Sequence, residues 1–569
     1  MDIGRSFTYI TMNRKFWHIV LVTLLTFLAL SVVVGVAKEP EPQDEIGLPV
    51  PSGAPEAAQY TYNTVITVTS GTDPDNSKSW TCYTGTGSDK SPCTLRRAIV
   101  ESRGLSAGEL PVLISFDIPA DPAEGYDSGL GVWEIEPQSS TDAHVFRRMK
   151  GRVIIDGDTQ PGGRTNGPKI ILVGPGTGQD SCFIVGDVAG DDEIIIRGLG
   201  MQNFKTHIYV NTDNNLIEDC WFGLSSDGTT LTSGDDTDPE GGSAISLMSG
   251  ADHNIVRNNK FAGFFGAAVA IGGNSNEFTS NWVGMRADGT VPIPAQFDQH
   301  PCTGSTWAGG TGITVDGDDH HIGGPAAADG NRFAGLYLDI FEESEQPFAI
   351  QFTGSTNDVL VQNNVIGLDA SDDTIGVCGR GIKLSNGPEG TQVISNTIVE
   401  TGLSAILMNH WTLNGNTLRG NIIKREGGWP GEQGDNTFPE GAIAYGGGVP
   451  DELGAFQPAV VTEVSGTLVS GVSGSSLAGQ TCDNCTIELF LEDTDAVTEA
   501  LESLAVVTAD ANGDWSATLP APLTEEQRLR TMSTVPDDWT IDDLDAGSTS
   551  NLSGLYPVQK VFLPLVMRG

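Results

Sequence analysis

Basic residues are scarce in this chain: 30 Lys+Arg stand against 74 Asp+Glu, a formal charge of −44 over 569 residues. A field this negative repels phosphate backbones, and the few cations are scattered, so nucleic acid is excluded as an electrostatically steered partner. Charged residues reach only 18%, below the usual quarter, so the acids sit on a largely uncharged background and not in a polyelectrolyte tail. With 38% hydrophobic residues, global disorder is excluded as well. The chain has no Gly-x-Ser-x-Gly nucleophile turn and no second thiol pair beside Cys482 and Cys485 to complete a zinc site. Its acidic runs lack the spacing of an EF-hand or a nonapeptide calcium repeat.

What is present begins with an export signal. Arg5, Arg14 and Lys15 precede an apolar run from Phe16 to Val36 that ends in the small residues Gly35 and Ala37. Residues 1–37 therefore read as a secretory signal cleaved after Ala37, with an uncleaved single-pass anchor as the alternative. Everything from Lys38 onward is expected outside the cytoplasm, secreted or held at the cell surface, with membrane contact only through this segment. Residues 38–59 form a Pro- and acid-rich linker. In an exported chain, eight cysteines favour disulfides. Cys82 and Cys93 bracket one loop; Cys482 and Cys485 form a Cys-x-x-Cys that runs into an alternating strand and reads as a structural staple. Cys182, Cys220, Cys302 and Cys378 are unassigned.

Glycine is abundant, 72 residues, and the middle of the chain repeats itself. A strand pattern of apolar-x-apolar recurs around Ile208, Ile245, Val269, Ile313, Ile350, Ile382, Ile406 and Ile443, interleaved with a second pattern of apolar residues followed by Asn. The shortest repeats are about 24 residues, enough for three short strands and three turns. Such strands bury themselves only by stacking, which gives a parallel β-helix over residues 151–450. Asn259, Asn281, Asn364, Asn396 and Asn421 fall at coil corners and fit a stacked ladder, since Asn tolerates turn geometry and its amide can bond the next coil. About eleven coils at 4.8 Å make a rod of roughly 50 Å. Residues 60–150 form an N-terminal module and cap. Within it, the segment from Ser91 reads as a helix with Pro92 at its first position and Arg96 and Arg97 pointing outward. Residues 451–555 show short alternating strands separated by turns, a β-sandwich, and 556–569 are a tail too short to span a bilayer.

The segments TYNTVITVTSG, SPCTLRRAIVES and PVLISFDIP resemble the N-terminal module of secreted bacterial proteins marked by a Cys-Ser-Leu-Arg-Glu-Ala motif, with Thr94 for Ser and Arg97 for Glu. VIIDGDTQPGG, IIIRGLGM and the three segments DCWFGLSSDGT, SNWVGMRADGT and NNVIGLDASDDT are similar to the right-handed β-helix repeats that accompany it. The resemblance implies an all-β chain, a right-handed parallel β-helix of the pectate-lyase-like kind, and a small immunoglobulin-like domain after it. The last residues resemble a C-terminal tag of exported proteins.

This fold hosts carbohydrate enzymes without assigning one. Asn211-Thr212-Asp213, Gly317 to His321, and Arg380 with Ile382 and Lys383 resemble, in order, elements of polygalacturonases. A hydrolase needs its carboxylates side by side, and Asp213 and Asp318 are separated by several repeats. A lyase needs calcium-binding carboxylates beside an Arg or Lys base. The acids Asp191-Asp192-Glu193, Asp235-Asp236-Asp238 and Glu342-Glu343-Glu345 are plentiful, whereas bases are few. They read as a solvated surface, with calcium the one cofactor left open. His320 and His321 read as exposed turn residues. Trp282, Trp307, Trp411 and Trp429 are candidates for stacking on sugars. No residue is assigned a catalytic or metal-binding role. The expectation is a non-catalytic rod presenting loops for adhesion, carbohydrate contact or envelope structure, with the sandwich as a spacer; the alternative is an extracellular polysaccharide lyase, epimerase or hydrolase.

Overall fold

The computed structural model describes residues 60–556 apart from internal stretches, of which 74–91 (Cys82 excepted), 232–241, 292–309, 337–346 and 425–441 are the longest. Residues 1–59, where a signal and linker are expected, and the tail beyond Tyr556 lie outside the described residues. Among the described residues no helix is long and apolar enough to cross a membrane.

The short apolar strands stack into three long sheets, two of eleven strands and one of nine. The first sheet climbs from Thr64–Val68 to Thr417–Arg419, the second from Tyr126–Asp127 to Ile422–Lys424, and the third from Phe183–Val185 to Ile443–Tyr445. Each coil visits them in turn: Leu216–Glu218, Trp221–Phe222, Ile245–Leu247, then back to Ile255–Arg257. Neighbouring strands pair in parallel and in register, Ile217 with Val256 and Phe222 with Phe261, for example. The lowest pair of the second sheet is the antiparallel exception. This is a parallel β-helix. Its first sheet does not begin at Gly151, because Thr64–Val68 pairs with Val112–Phe116, which pairs with Val153–Ile155. The strands Thr64–Val68 and Val112–Phe116 therefore belong to the bottom coils.

A three-residue strand turns one side chain inward in the first sheet, as Val256 does, and two in the third, as Ile245 and Leu247 do, so the core is a set of columns. Phe222 and Phe261 stack at 4.9 Å between centroids and 5° between planes, and Phe261 continues to Phe278 at 5.9 Å. A Phe261→Ala change removes the middle of this stack and should lower unfolding stability by about 3–5 kcal/mol in chemical denaturation. A loss under about 1 kcal/mol would mean the column collapses to fill the gap.

Corners between the first and second sheets take two residues, as in Asp219-Cys220, Asn258-Asn259, Ser280-Asn281, Asn363-Asn364, Ser395-Asn396 and Gly420-Asn421. The first of each pair is left-handed, with φ between 56° and 60°, which Asn and Asp accept most readily among side-chain-bearing residues. The second points inward. Asn259, Asn281, Asn331, Asn364, Asn396 and Asn421 stand one above another, all under 5% exposed. The Oδ1 of each upper Asn accepts the backbone N–H of the one below at 2.9–3.1 Å and its Nδ2 at 2.9–3.2 Å. Each Nδ2 also donates to a strand carbonyl, Asn281 to Val256 and Asn364 to Ile322, both at 2.8 Å.

A second buried ladder runs up the corner between the third and first sheets. Asn215, Asn254 and Asn276 pass backbone N–H to side-chain oxygen at 2.7–2.9 Å, and the Asn276 N–H then donates to Nδ1 of His320 at 3.1 Å. His320 is therefore fully buried and not an exposed turn residue. With Nδ1 accepting, its Nε2–H donates to the Asp316 carbonyl at 3.1 Å. His321 is half-buried and sits in the first sheet opposite Glu277.

The glycine of the three similar segments has a steric reason. Gly284 and Gly367 adopt φ of 88° and 91°, and a Cβ would lie 1.9 Å from the Ala334 carbonyl oxygen and 1.8 Å from that of Val399. Any side chain there would push the coils apart.

The bottom is closed by the helix Leu95–Ser102. Its cap is Thr94, whose Oγ1 accepts the Arg97 N–H at 3.2 Å, in place of a start at Ser91 and Pro92. Arg96 does not point outward. It is buried, pairs with Asp73 at 2.8 Å, donates to the carbonyls of Val145 and Gln138, and lies 5.4 Å over the Phe146 ring. Arg97 is the outer one, bound to Glu101 at 2.9 Å.

The C-terminal part is two three-stranded antiparallel sheets, Val460–Ser465, Leu468–Val472 and Asp514–Thr518 against Glu502–Thr508, Thr486–Glu492 and Arg528–Thr534. Val469, Trp515, Ile487 and Leu529 share one buried core. The sandwich is no mere spacer, since it closes the top coil. The N–H groups of Gly415, Leu418, Gly420 and Ile423 donate to Ser548 Oγ, Thr549 Oγ1, Glu488 Oε1 and the Ala500 carbonyl at 2.9–3.1 Å. Tyr445 adds a hydroxyl bond to the Thr549 carbonyl at 2.5 Å. Disulfides join Cys82 to Cys93 and Cys482 to Cys485. Cys378 is also disulfide-bonded, Cys302 lies outside the described residues, and Cys182 and Cys220 are buried thiols whose ionisation burial opposes.

Candidate binding face

The three corners of the rod are unequal. The two-residue corners and those leading from the third to the first sheet are short, whereas the connections 223–244, 284–312, 334–347, 367–379 and 425–442 all run from a second-sheet strand to the next third-sheet strand. Long insertions are tolerated where they leave the stacked strands unshifted. Their points of attachment therefore lie along one edge of the third sheet. The outer face of that sheet is a column set by register: Tyr209, Ser246, Ala270, Thr314, Gln351, Lys383 and Leu407. From Tyr209 to Lys383 these side chains are half-buried. The column offers a ring, hydroxyls, an amide and one ammonium, with Lys383 Nζ 4.6 Å from the Phe348 ring centroid. Such a strip suits stacking on and hydrogen bonding to an extended polar polymer.

The opposite flank carries a row of acids and amides. Asp213 Oδ1 accepts the Asp252 N–H at 2.8 Å, Asp252 Oδ1 that of Asn274 at 2.7 Å, Asn274 Oδ1 that of Asp318 at 3.0 Å, and Asp318 Oδ1 that of Asn357 at 2.8 Å. Asp213 and Asp318 thus share a row yet stand three coils, about 14 Å, apart. That exceeds the roughly 5–9.5 Å between paired carboxylates of glycoside hydrolases. Asp213 and Asp252 are on adjacent coils, but each holds the coil above through a backbone N–H. Arg380 is buried at the start of its strand, and Lys383 belongs to the outer column.

The remaining acids and aromatics divide. Asp192 accepts the Asp213 N–H at 3.3 Å and Glu193 pairs with Arg152 at 3.1 Å. Asp191, Asp235, Asp236, Asp238, Glu342, Glu343 and Glu345 lie outside the described residues, as do Trp307, Trp411 and Trp429. Trp282 is not a free platform: Lys260 Nζ sits 4.2 Å from its ring centroid, between it and Trp221. On the first sheet Asp156, Arg197, Glu218 and Arg257 follow one another in register as ion pairs of 3.0–3.2 Å, and Tyr60 donates its hydroxyl to Glu218 at 3.1 Å. These cations are neutralised and lie on another face. Among the described residues three carboxylates approach within 4.8 Å in one place, Glu492, Asp493 and Glu499 of the sandwich, and there Glu492 is held by Arg530 at 2.7 Å.

His207 belongs to the interior beneath the column. It is fully buried among Phe204, Phe222 and Phe264, with no hydrogen-bond partner at either nitrogen. Burial drives its pKa down to about 3. The unfolded ring binds a proton near pH 6.5 and the folded one does not, so its contribution is intact above 6.5 and is lost as pH falls. The stability advantage of His207→Phe over the wild type should widen by about 1.4 kcal/mol per pH unit between 6.5 and 3, read from parallel denaturation curves. A constant difference would place a partner beside the ring.

No family model matches the chain, and no curated protein is similar to it in sequence. Likeness to solved structures is distant. An alginate lyase from a Paenibacillus strain aligns over 68% of this chain and 99% of its own at 12% identity and a TM-score of 0.34. The enzymatically active domain of tailspike protein 2 of bacteriophage CBA120 aligns over 78% and 70% at 8% identity and 0.30. A polysaccharide lyase from Pseudopedobacter saltans aligns over 60% and 88% at 11% identity and 0.22. No activity follows from likenesses at this level.

Proposed function

We propose that the chain is an exported, surface-held rod that binds carbohydrate or another envelope polymer along the outer face of its third sheet, without cleaving it. The observation that carries this reading is the half-buried, mostly polar column from Tyr209 to Lys383 on the outer face of the third sheet. On one flank of it the carboxylates that a hydrolase would use are engaged in holding successive coils together. The acid excess favours neutral or amine-bearing polymers over polyuronates.

The test is to run residues 38–569 through gels containing a panel of polysaccharides, and to assay the same mixtures for reducing and unsaturated ends with and without calcium. Retention by at least one polymer without new ends is the expected result. Ala at both Tyr209 and Lys383 should then weaken retention about tenfold, some 1.4 kcal/mol. Release of products from any polymer would overturn the non-catalytic reading, and retention unchanged in the double variant would move the face elsewhere.

A further inference from the structure

The sandwich meets the donors of the last coil with single residues, and one of these can titrate. Glu488 lies in the middle of the strand Thr486–Glu492 and is 2% exposed. One carboxyl oxygen accepts the Gly420 N–H at 3.0 Å; the other is buried with no hydrogen-bond partner. In the coils below, the N–H at this corner goes to a backbone carbonyl of the coil above: Asn258 to Thr279, Asn363 to Ile394 and Ser395 to Arg419, at 2.8–3.2 Å. Glu488 thus stands where the carbonyl of a further coil would be. A carbonyl is neutral, and a carboxylate in the same place brings a full charge into a site with one bond to offer it. The charged side chain that bears on it is Arg419, on the rod side.

We propose that the junction between rod and sandwich is tightened by acid, closed most firmly when Glu488 is protonated and loosened as it ionises. Burial raises the carboxyl to about 7, against the opposing pull of Arg419 and the Gly420 N–H. In an undocked sandwich it returns to about 4.5. A folded-state pKa above the free one means that the contribution is complete below 4.5 and is lost as pH rises through 7.

Hydrogen exchange on residues 38–569 between pH 5 and pH 9, corrected for the intrinsic rate, tests this directly. Protection of the peptide spanning 415–424 should fall at least about tenfold over that range, while mid-rod peptides around Asn281 stay constant. Glu488→Gln keeps the oxygen acceptor and removes the titration, so its protection should be flat. Arg419→Gln provides a second variant, in which the midpoint should move to higher pH. A flat wild-type profile, a step that persists in Glu488→Gln, or an unmoved midpoint in Arg419→Gln would overturn the proposal.

Discussion

Replacing Asn281 with alanine should destabilise the rod by about 4 kcal/mol, more than most single substitutions. The side chain accepts from the backbone and the amide of Asn259 and donates to Val256 and to Asn331, all inside the protein. Alanine leaves the backbone N–H of Asn259 and one of its two amide hydrogens without acceptors, and each buried orphan costs about 1–3 kcal/mol. Aspartate is close in shape and should be no better, because it presents a second acceptor to Val256 and Asn331 where a donor is required. Urea unfolding measures both variants. A loss below about 1 kcal/mol for alanine would show that water enters the corner and replaces the amide.

Removing the sandwich should have the other large effect. A chain ending after Pro450 leaves the N–H groups of Gly415, Leu418, Gly420 and Ile423 without acceptors and bares the top of the apolar column. An open parallel edge pairs readily with another chain. The truncated protein should therefore self-associate at micromolar concentration, seen by light scattering, whereas residues 38–569 should not do so through this end. A truncated rod that stays monomeric with unchanged melting would mean that the last coil needs no cap.

Much of this architecture was legible because stacking forces a period on the sequence. The apolar-x-apolar strands and the Asn corners at 259, 281, 364, 396 and 421 share one phase, and that phase locates both sheets and ladder. Asn331 escaped because Gly324–Gly330 lengthens its corner and breaks the spacing. The second ladder was missed although its signal is present: a polar residue stands directly before four successive first-sheet strands, at Asn215, Asn254, Asn276 and His320. Reading His320 beside two aspartates suggested exposure, while its register put it among buried amides. Arg96 was misplaced for a related reason, since its partner Asp73 is distant in sequence and helical periodicity alone cannot reveal it. The capping role of the sandwich was illegible, because Glu488, Ala500, Ser548 and Thr549 come from separate stretches with no common pattern. The proposed binding face was legible only as a list of strand positions; that these share one outer column depended on the register of the third sheet.

The amide ladders also give the rod a direction. Every Asn of the first ladder passes its backbone hydrogen upward to the oxygen of the next, from Asn259 to Asn421. Dipoles aligned head to tail in this way leave a partial positive charge at the upper end, much as at the start of an α-helix. That positive end opposes, without cancelling, the burial that keeps the Glu488 carboxyl protonated where it accepts the Gly420 N–H beside Asn421.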